Sequence, residues 1–272
     1  MFKVSFMLHH NTTTSMVARP TTINVSLPSL AKMIDHSLLD PIMTDDEVLA
    51  GLEICKRYNV ATACVKPYHI LYAKKHLAGT GVLVCPAIGF PHGGSTPEVK
   101  LFETKRAVYE GGKEVDFVIN IGRARSGKWE FVKHEIFRVN EVVVEGGAIL
   151  KVIFENEYLT EDEIIKLCQI CTDIGVAYVE TSTGYGFTKL PSGDYQCKEA
   201  TISHLELMRK HVGPDVKIKA TGGVRTLDDL LRMRALGVSR VGTTGTGGIL
   251  EEAIRRGIGI ESRSVEIHWE GV

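Results

Sequence analysis

From residue 30 onward, short apolar runs rich in β-branched residues alternate with stretches of helical period. The runs predict eight strands, at 32–35, 61–66, 82–88, 115–121, 149–155, 177–181, 216–220 and 240–244. The helical period predicts helices at 45–58, 68–77, 96–110, 129–145, 161–173, 199–211, 227–236 and 248–256. Helix starts are marked: Thr44 precedes Asp45, Asp46 and Glu47, Thr160 precedes Glu161, Asp162 and Glu163 in a capping-box pattern, and Thr226 precedes Leu227, Asp228 and Asp229. Gly111, Gly146 and Gly237 stand where helices should stop. Strands this continuously apolar suit a parallel sheet covered on both faces. Eight β-α units predict an α/β chain folded as a single (β/α)8 TIM barrel over 29–260, with a flexible N-terminal extension at 1–28 and a tail at 261–272. No G-x-G-x-x-G follows the first strand, which argues against a dinucleotide-binding sheet.

Composition changes this picture little. The 272 residues are 44% hydrophobic and 24% charged, with a net charge of −1. Such a chain has no global field drawing it to nucleic acid or an anionic membrane. No apolar run approaches the ~20 residues of a membrane span, and a cytoplasmic location is expected from the cysteine usage. The first 34 residues carry no acidic side chain, which suits either an extension or a targeting segment. The sequons at Asn11 and Asn24 carry no meaning in a cytosolic protein. The 6 cysteines lack the dense spacing of a disulfide scaffold and read as reduced thiols. Cys168 and Cys171 form a C-x-x-C inside an amphipathic helix and read as coincidence.

The polar residues inside the strands are more informative, because a charge there is costly unless it is paired or functional. Asp116, Lys151, Glu180 and Lys219 fall on four successive strands. Neighbouring strands lie about 4.8 Å apart, so these side chains can converge at the C-terminal end of the barrel, where such folds place their active sites. A structural ion network is the competing reading. Gly222-Gly223 follow the seventh strand, and Gly242-Thr243-Thr244 end the eighth. Glycine and hydroxyl-bearing loops at these two places are the usual phosphate site of such barrels, and Arg225 could add charge. Asp35, Cys64 and Thr181 are further pocket candidates, with Cys64 read mainly as packing. Residues 192–197 lengthen the loop after the sixth strand, and Tyr185, Phe187 and Tyr195 there could form a lid.

Eight motifs in order, MIDHSLL (33–39), ACVKP (63–67), IGFPHGGSTPEVKLFE (88–103), EVDFVINIG (114–122), LKVIFE (150–155), YVETSTGYG (178–186), KATGGVRT (219–226) and RVGTT (240–244), resemble the deoxyribose-phosphate aldolase family. The resemblance implies a class I aldolase, needing no metal or cofactor, that splits 2-deoxyribose 5-phosphate into acetaldehyde and glyceraldehyde 3-phosphate. It implies an imine-forming lysine on strand six, Lys219 beside it, Asp116 as proton carrier, phosphate held by the glycines after strands seven and eight, and a homo-oligomer, dimer or tetramer.

One position departs from the pattern. Where the family reads V-K-T-S-T-G, this chain reads Val179-Glu180-Thr181-Ser182-Thr183-Gly184. A second amine near Lys219 would lower its pKa, whereas a carboxylate raises it. Three readings stay open: an aldolase with Lys219 or Lys151 as substitute amine, an imine-free isomerase or lyase on a phosphorylated sugar with Glu180 as base, and a non-catalytic sugar-phosphate-binding barrel.

Overall fold

The computed structural model describes residues 19, 21–196 and 200–269. Eight parallel strands close a barrel in chain order: β1 (Ile34–Leu38), β2 (Thr62–Val65), β3 (Leu83–Ile88), β4 (Glu114–Val118), β5 (Ile149–Ile153), β6 (Tyr178–Glu180), β7 (Lys217–Thr221) and β8 (Arg240–Thr243). Around them lie α1 (Asp45–Tyr58), α2 (Ile70–His76), α3 (Pro97–Glu110), α4 (Trp129–Glu145), α5 (Glu161–Ile174), α6 (Ile202–His211), α7 (Leu227–Ala235) and α8 (Thr246–Arg255). The (β/α)8 architecture is as the sequence pattern predicts.

Helix formation follows local chemistry. Thr44 and Glu47, Thr160 and Glu163, and Thr226 and Asp229 form reciprocal capping boxes, each satisfying two otherwise orphaned N–H groups. On α1, Val48, Leu52 and Cys55 recur at helical spacing and are buried against the sheet. Cys168 and Cys171 do the same on α5, so this C-x-x-C is part of a core face, and the described cysteines are all free.

Several boundaries differ from the sequence expectation, two of them for a clear local reason. The first strand covers 34–38, not 32–35, because Ser26 caps a short helix, Leu27–Ala31, that takes up the preceding apolar residues. The fourth ends at Val118, since Asn120 caps the helix Ile121–Arg125 with its side chain. The segments assigned to a flexible extension and a tail also meet: Thr22–Val25 pairs antiparallel with Arg263–Glu266. Most of the extension, 1–18, lies outside the described residues.

Every second strand side chain points into the barrel, and here those layers are charged, whereas branched aliphatic residues usually fill them. Thr62, Glu114, Tyr178 and Arg240 come from even-numbered strands. Arg240 Nη1 lies 2.6 Å from Glu114 Oε2, and Nη2 lies 3.4 Å from Tyr178 Oη. Asp35, Cys85, Lys151 and Lys219 come from odd-numbered strands and touch through Lys151 Nζ, 3.1 Å from Cys85 Sγ and 3.1 Å from Asp35 Oδ2. Two residues further along the even strands stand Cys64, Asp116, Glu180 and Gly242. The aliphatic core lies instead between sheet and helices. No described helix is long and apolar enough to cross a membrane.

Candidate active site

Register sets the site. Asp116 pairs with Lys151 across β4–β5, and Glu180 pairs with Lys219 across β6–β7. Lys219 Nζ consequently lies 2.6 Å from Asp116 Oδ2, 3.1 Å from Asp35 Oδ2 and 3.1 Å from Glu180 Oε1. Lys151 Nζ lies 3.0 Å from Asp116 Oδ1 and 2.8 Å from Glu114 Oε2. Arg240 closes the network at 2.6 Å from Asp35 Oδ1, which also accepts from Thr62 Oγ1 at 2.7 Å. Four carboxyl groups (Asp35, Glu114, Asp116, Glu180) thus meet three cations (Lys151, Lys219, Arg240), all largely buried.

Burial opposes charge on every member, and the neighbours decide which charges survive. Burial works against ionised Asp116, yet Lys151 and Lys219 hold its carboxyl below the usual carboxylate range. Asp35 is held down by Lys151, Lys219 and Arg240 against the same penalty. Burial likewise opposes the Lys219 ammonium, but Asp116, the Cys64 sulfur and Glu180 together hold its pKa well above that of a free lysine. Lys151 is held up by Asp116 and Asp35. Glu180 goes the other way: burial pushes it up to about 8, although Lys219 pulls it down. The burial penalty outweighs the attraction of Lys219, and the nearby Asp116 charge adds to the rise. A protonated Glu180 leaves three carboxylates facing three cations.

The sequence argument that a carboxylate at 180 raises the Lys219 pKa therefore has the right direction, but Asp116 ranks ahead of Glu180 as its cause. Glu180 Oε1 accepts from Thr221 Oγ1 at 2.5 Å, and its Oε2 is buried without a hydrogen-bond partner among the described residues.

A cavity of 270 Å³ opens above this network. Asp116, Glu180, Lys219 and Cys64 line it, as do Gly222, Gly223, Gly242, Thr243 and Thr244. Lys151, Asp35 and Thr181 do not. Lys151 and Asp35 lie beneath it as ion-pair braces, and the Thr181 hydroxyl accepts from Thr221 N–H at 3.1 Å, tying β6 to β7. Two phosphate candidates also have structural duties. The Thr243 hydroxyl donates to Val224 O at 2.6 Å and accepts from Gly245 N–H, and a Cβ on Gly242 would lie 2.5 Å from Thr221 Oγ1. Gly222 and Gly223 have φ of 89° and 78°, the left-handed region that glycine tolerates and that turns backbone N–H groups toward a ligand. Tyr185 reaches the cavity and packs edge-on against Phe90 at 5.5 Å, whereas Phe187 and Tyr195 are exposed. The lengthened loop forms a small hairpin, Thr188–Lys189 with Tyr195–Gln196.

Sequence reasoning assigned no role to Glu114, Arg240, Thr221 and Glu155. Glu114 and Arg240 were readable: each stands two residues before an inward site position on its own strand. Glu155 was not. It stands two residues past the end of β5 in the left-handed region (φ 60°), lines the cavity, and accepts from the Thr183 hydroxyl at 2.5 Å; burial raises its pKa to about 7.

Cys64, Cys85 and Asp116 offer donor atoms within 4.8 Å of one another, a spacing that suits a metal ion. Lys151 and Lys219 already occupy the Asp116 oxygens, and Lys151 the Cys85 sulfur, so a dication would have to displace two ammonium groups.

No family model matches the chain. A deoxyribose-phosphate aldolase of Rhodopirellula baltica is 46% identical over 224 residues, covering 82% of this chain and 89% of the relative. A candidate deoxyribose-phosphate aldolase structure from Coccidioides immitis superposes with a TM-score of 0.77 at 32% identity, covering 88% of each chain. The tetrameric deoxyribose phosphate aldolase of Aeropyrum pernix gives 0.74 at 26% identity, covering 85% of this chain and 92% of that one. With the eight-stranded barrel and its charged interior, this similarity places the chain in the deoxyribose-phosphate aldolase family, among aldolase-type lyases.

Proposed function

We propose that the chain cleaves and forms a carbon–carbon bond of a phosphorylated hydroxyaldehyde, 2-deoxyribose 5-phosphate by family resemblance, without an imine at position 180. The contact between the Lys219 ammonium and three carboxyl groups carries this reading. An amine held charged is a poor nucleophile but a good partner for a developing oxyanion.

In the cleavage direction, ionised Glu180 takes the proton of the substrate hydroxyl. The adjacent C–C bond breaks, and its electron pair moves toward the aldehyde carbonyl. The Lys219 ammonium stabilises the enolate oxygen that results. Glu180 returns its proton to the enolate carbon, so the atoms and charges balance. Glu180 Oε2, buried at the cavity without a hydrogen-bond partner among the described residues, supports this role. The left-handed Gly222-Gly223 turn supports a phosphate subsite.

The test combines two measurements. Acetaldehyde in D2O should exchange its methyl protons in the presence of the protein, while borohydride leaves no adduct on any lysine. A borohydride-stable adduct on Lys219 or Lys151 would establish the imine route instead. Neither exchange nor turnover across a panel of sugar phosphates would leave the non-catalytic reading.

Self-association belongs to the proposal, on the example of the Aeropyrum pernix tetramer. Val99, Phe102 and Tyr109 on α3 are exposed apolar side chains suited to a subunit contact. Sedimentation at the mass of one chain would refute it.

A further inference from the structure

Cys64 and Cys85 are register partners on β2 and β3. Both point into the barrel: Cys64 Sγ lies 3.4 Å from Asp116 Oδ2, and Cys85 Sγ lies 3.1 Å from Lys151 Nζ. Their sulfur atoms lie within 4.8 Å of each other. Paired strands put the Cα atoms at about 4.8 Å, inside the range of about 4.4–6.8 Å that a disulfide spans. Closing the bond asks for side-chain rotation more than backbone movement. Cys168 and Cys171, by contrast, sit on one helix with their side chains set in the core.

From this geometry we infer that Cys64 and Cys85 form an oxidant-sensitive thiol pair on the pocket floor, closed to a disulfide by oxidants of the hydroperoxide class. The two thiols have different access. Cys64 lines the cavity, so a small oxidant meets it first, whereas Cys85 lies wholly beneath. Burial pushes the Cys85 thiol well above the usual range, which suits the resolving partner more than the first target. In the first step the Cys64 sulfur attacks the peroxide O–O bond. Sulfenic acid forms at Cys64 and one water leaves. In the second step Cys85 sulfur displaces that hydroxyl, its proton leaves with the second water, and the S–S bond forms. Two thiols lose two electrons and the peroxide gains them.

The bond would draw Cys64 away from Asp116 and remove Cys85 as a partner of Lys151. The pair therefore couples oxidation to the residues that hold Lys219 charged, whatever reaction the pocket performs.

The test uses the full chain, treated with a small excess of hydrogen peroxide and read by intact mass and peptide mapping. The expected product is 2 Da lighter, joins the peptides containing Cys64 and Cys85, and reverts with dithiothreitol, at about one bridge per chain. Cys85→Ala should stop at a dimedone-reactive sulfenic acid on Cys64, and Cys64→Ala should give no bridge. A bridge joining Cys168 to Cys171 overturns the inference. So does sulfinic acid on Cys64 with Cys85 untouched, or an unchanged mass where the urea-unfolded chain is oxidised.

Discussion

Glu180 faces Lys219 directly across the β6–β7 ladder, and this register places Glu180 Oε1 3.1 Å from Lys219 Nζ. The contact joins a carboxyl pushed up to about 8 to an amine held well above its ordinary value. The two groups therefore titrate far apart, and of the two only Glu180 changes charge near neutrality. If ionised Glu180 is the base, turnover or exchange should rise with pH through about 8 and then level off. Glu180→Gln should abolish that limb, which a pH profile of deuterium exchange would check. A flat profile in the unchanged protein would rule out Glu180 as the base.

The same shift has a consequence for stability. Glu180 is neutral in the folded protein up to about 8 but ionises near 4.5 when unfolded. Its protonation favours the fold fully below 4.5, and that contribution is lost as pH rises from 4.5 toward 8. Asp35 and Asp116 are lowered and lose their contribution only at more acidic pH. Glu180→Gln, neutral throughout, should therefore gain stability over the unchanged chain between pH 5 and pH 8. The expected gain is a few kcal/mol, on the scale of about 1.4 kcal/mol per pKa unit. Urea unfolding at both values checks it, and equal differences at the two would contradict the shift.

Placing a second amine at position 180 should reverse the electrostatics. In Glu180→Lys, four cations would face three carboxylates, so one amine should remain neutral and nucleophilic at physiological pH. Borohydride with acetaldehyde is expected to label the protein at that position, where the unchanged chain gives none. Failure to label a folded variant would mean that the surrounding charges do not support an imine there.

How much of this was legible in the sequence depended on whether each signal was local. Capping boxes at Thr44, Thr160 and Thr226, the β-α alternation, and the convergence of Asp116, Glu180 and Lys219 all follow from spacing. Asp35 was harder. Its strand reads Ile-Asp-His-Ser-Leu, with little apolar continuity, because its inward face belongs to the ion network and outward His36 bonds Thr246 at 2.8 Å. Arg240 and Glu114 begin their strands and pass for solvent-facing ends, and only their two-residue spacing from Gly242 and Asp116 marks them as inward, where the barrel closes over them. Thr243 reads as a phosphate candidate and lines the cavity, and its hydroxyl also ties two loops together, a duty visible only once both loops are placed. Glu155 needed the backbone itself, since a left-handed non-glycine residue carries no sequence mark.

Asp35 offers a test of the network. It touches Lys151, Lys219 and Arg240, so Asp35→Ala leaves buried cations undercompensated. Loss of one partner from such a network costs about 3–5 kcal/mol. Arg240→Met should be milder than its charge loss suggests if its flexible chain fills the space, although Glu114 then loses its closest cation. Chemical denaturation of the two variants, ranked against Glu180→Gln, distinguishes a structural brace from a pocket residue. Asp35→Ala should unfold most readily.

The phosphate subsite makes its own prediction through backbone conformation. Gly223 has φ of 78°, where an alanine is strained, and it lies at the cavity beside Gly222. Gly223→Ala should cost about 1 kcal/mol or more in stability and turn the local N–H groups away from an anion. Gly79 has φ of 77° with open space around it and no place at the cavity, so Gly79→Ala imposes similar strain without touching the subsite. Inorganic phosphate or glyceraldehyde 3-phosphate should protect the unchanged chain and Gly79→Ala against thermal unfolding but lose at least about tenfold in affinity for Gly223→Ala, a difference of about 1.4 kcal/mol. Equal protection of all three proteins would move the anion away from the β7 turn.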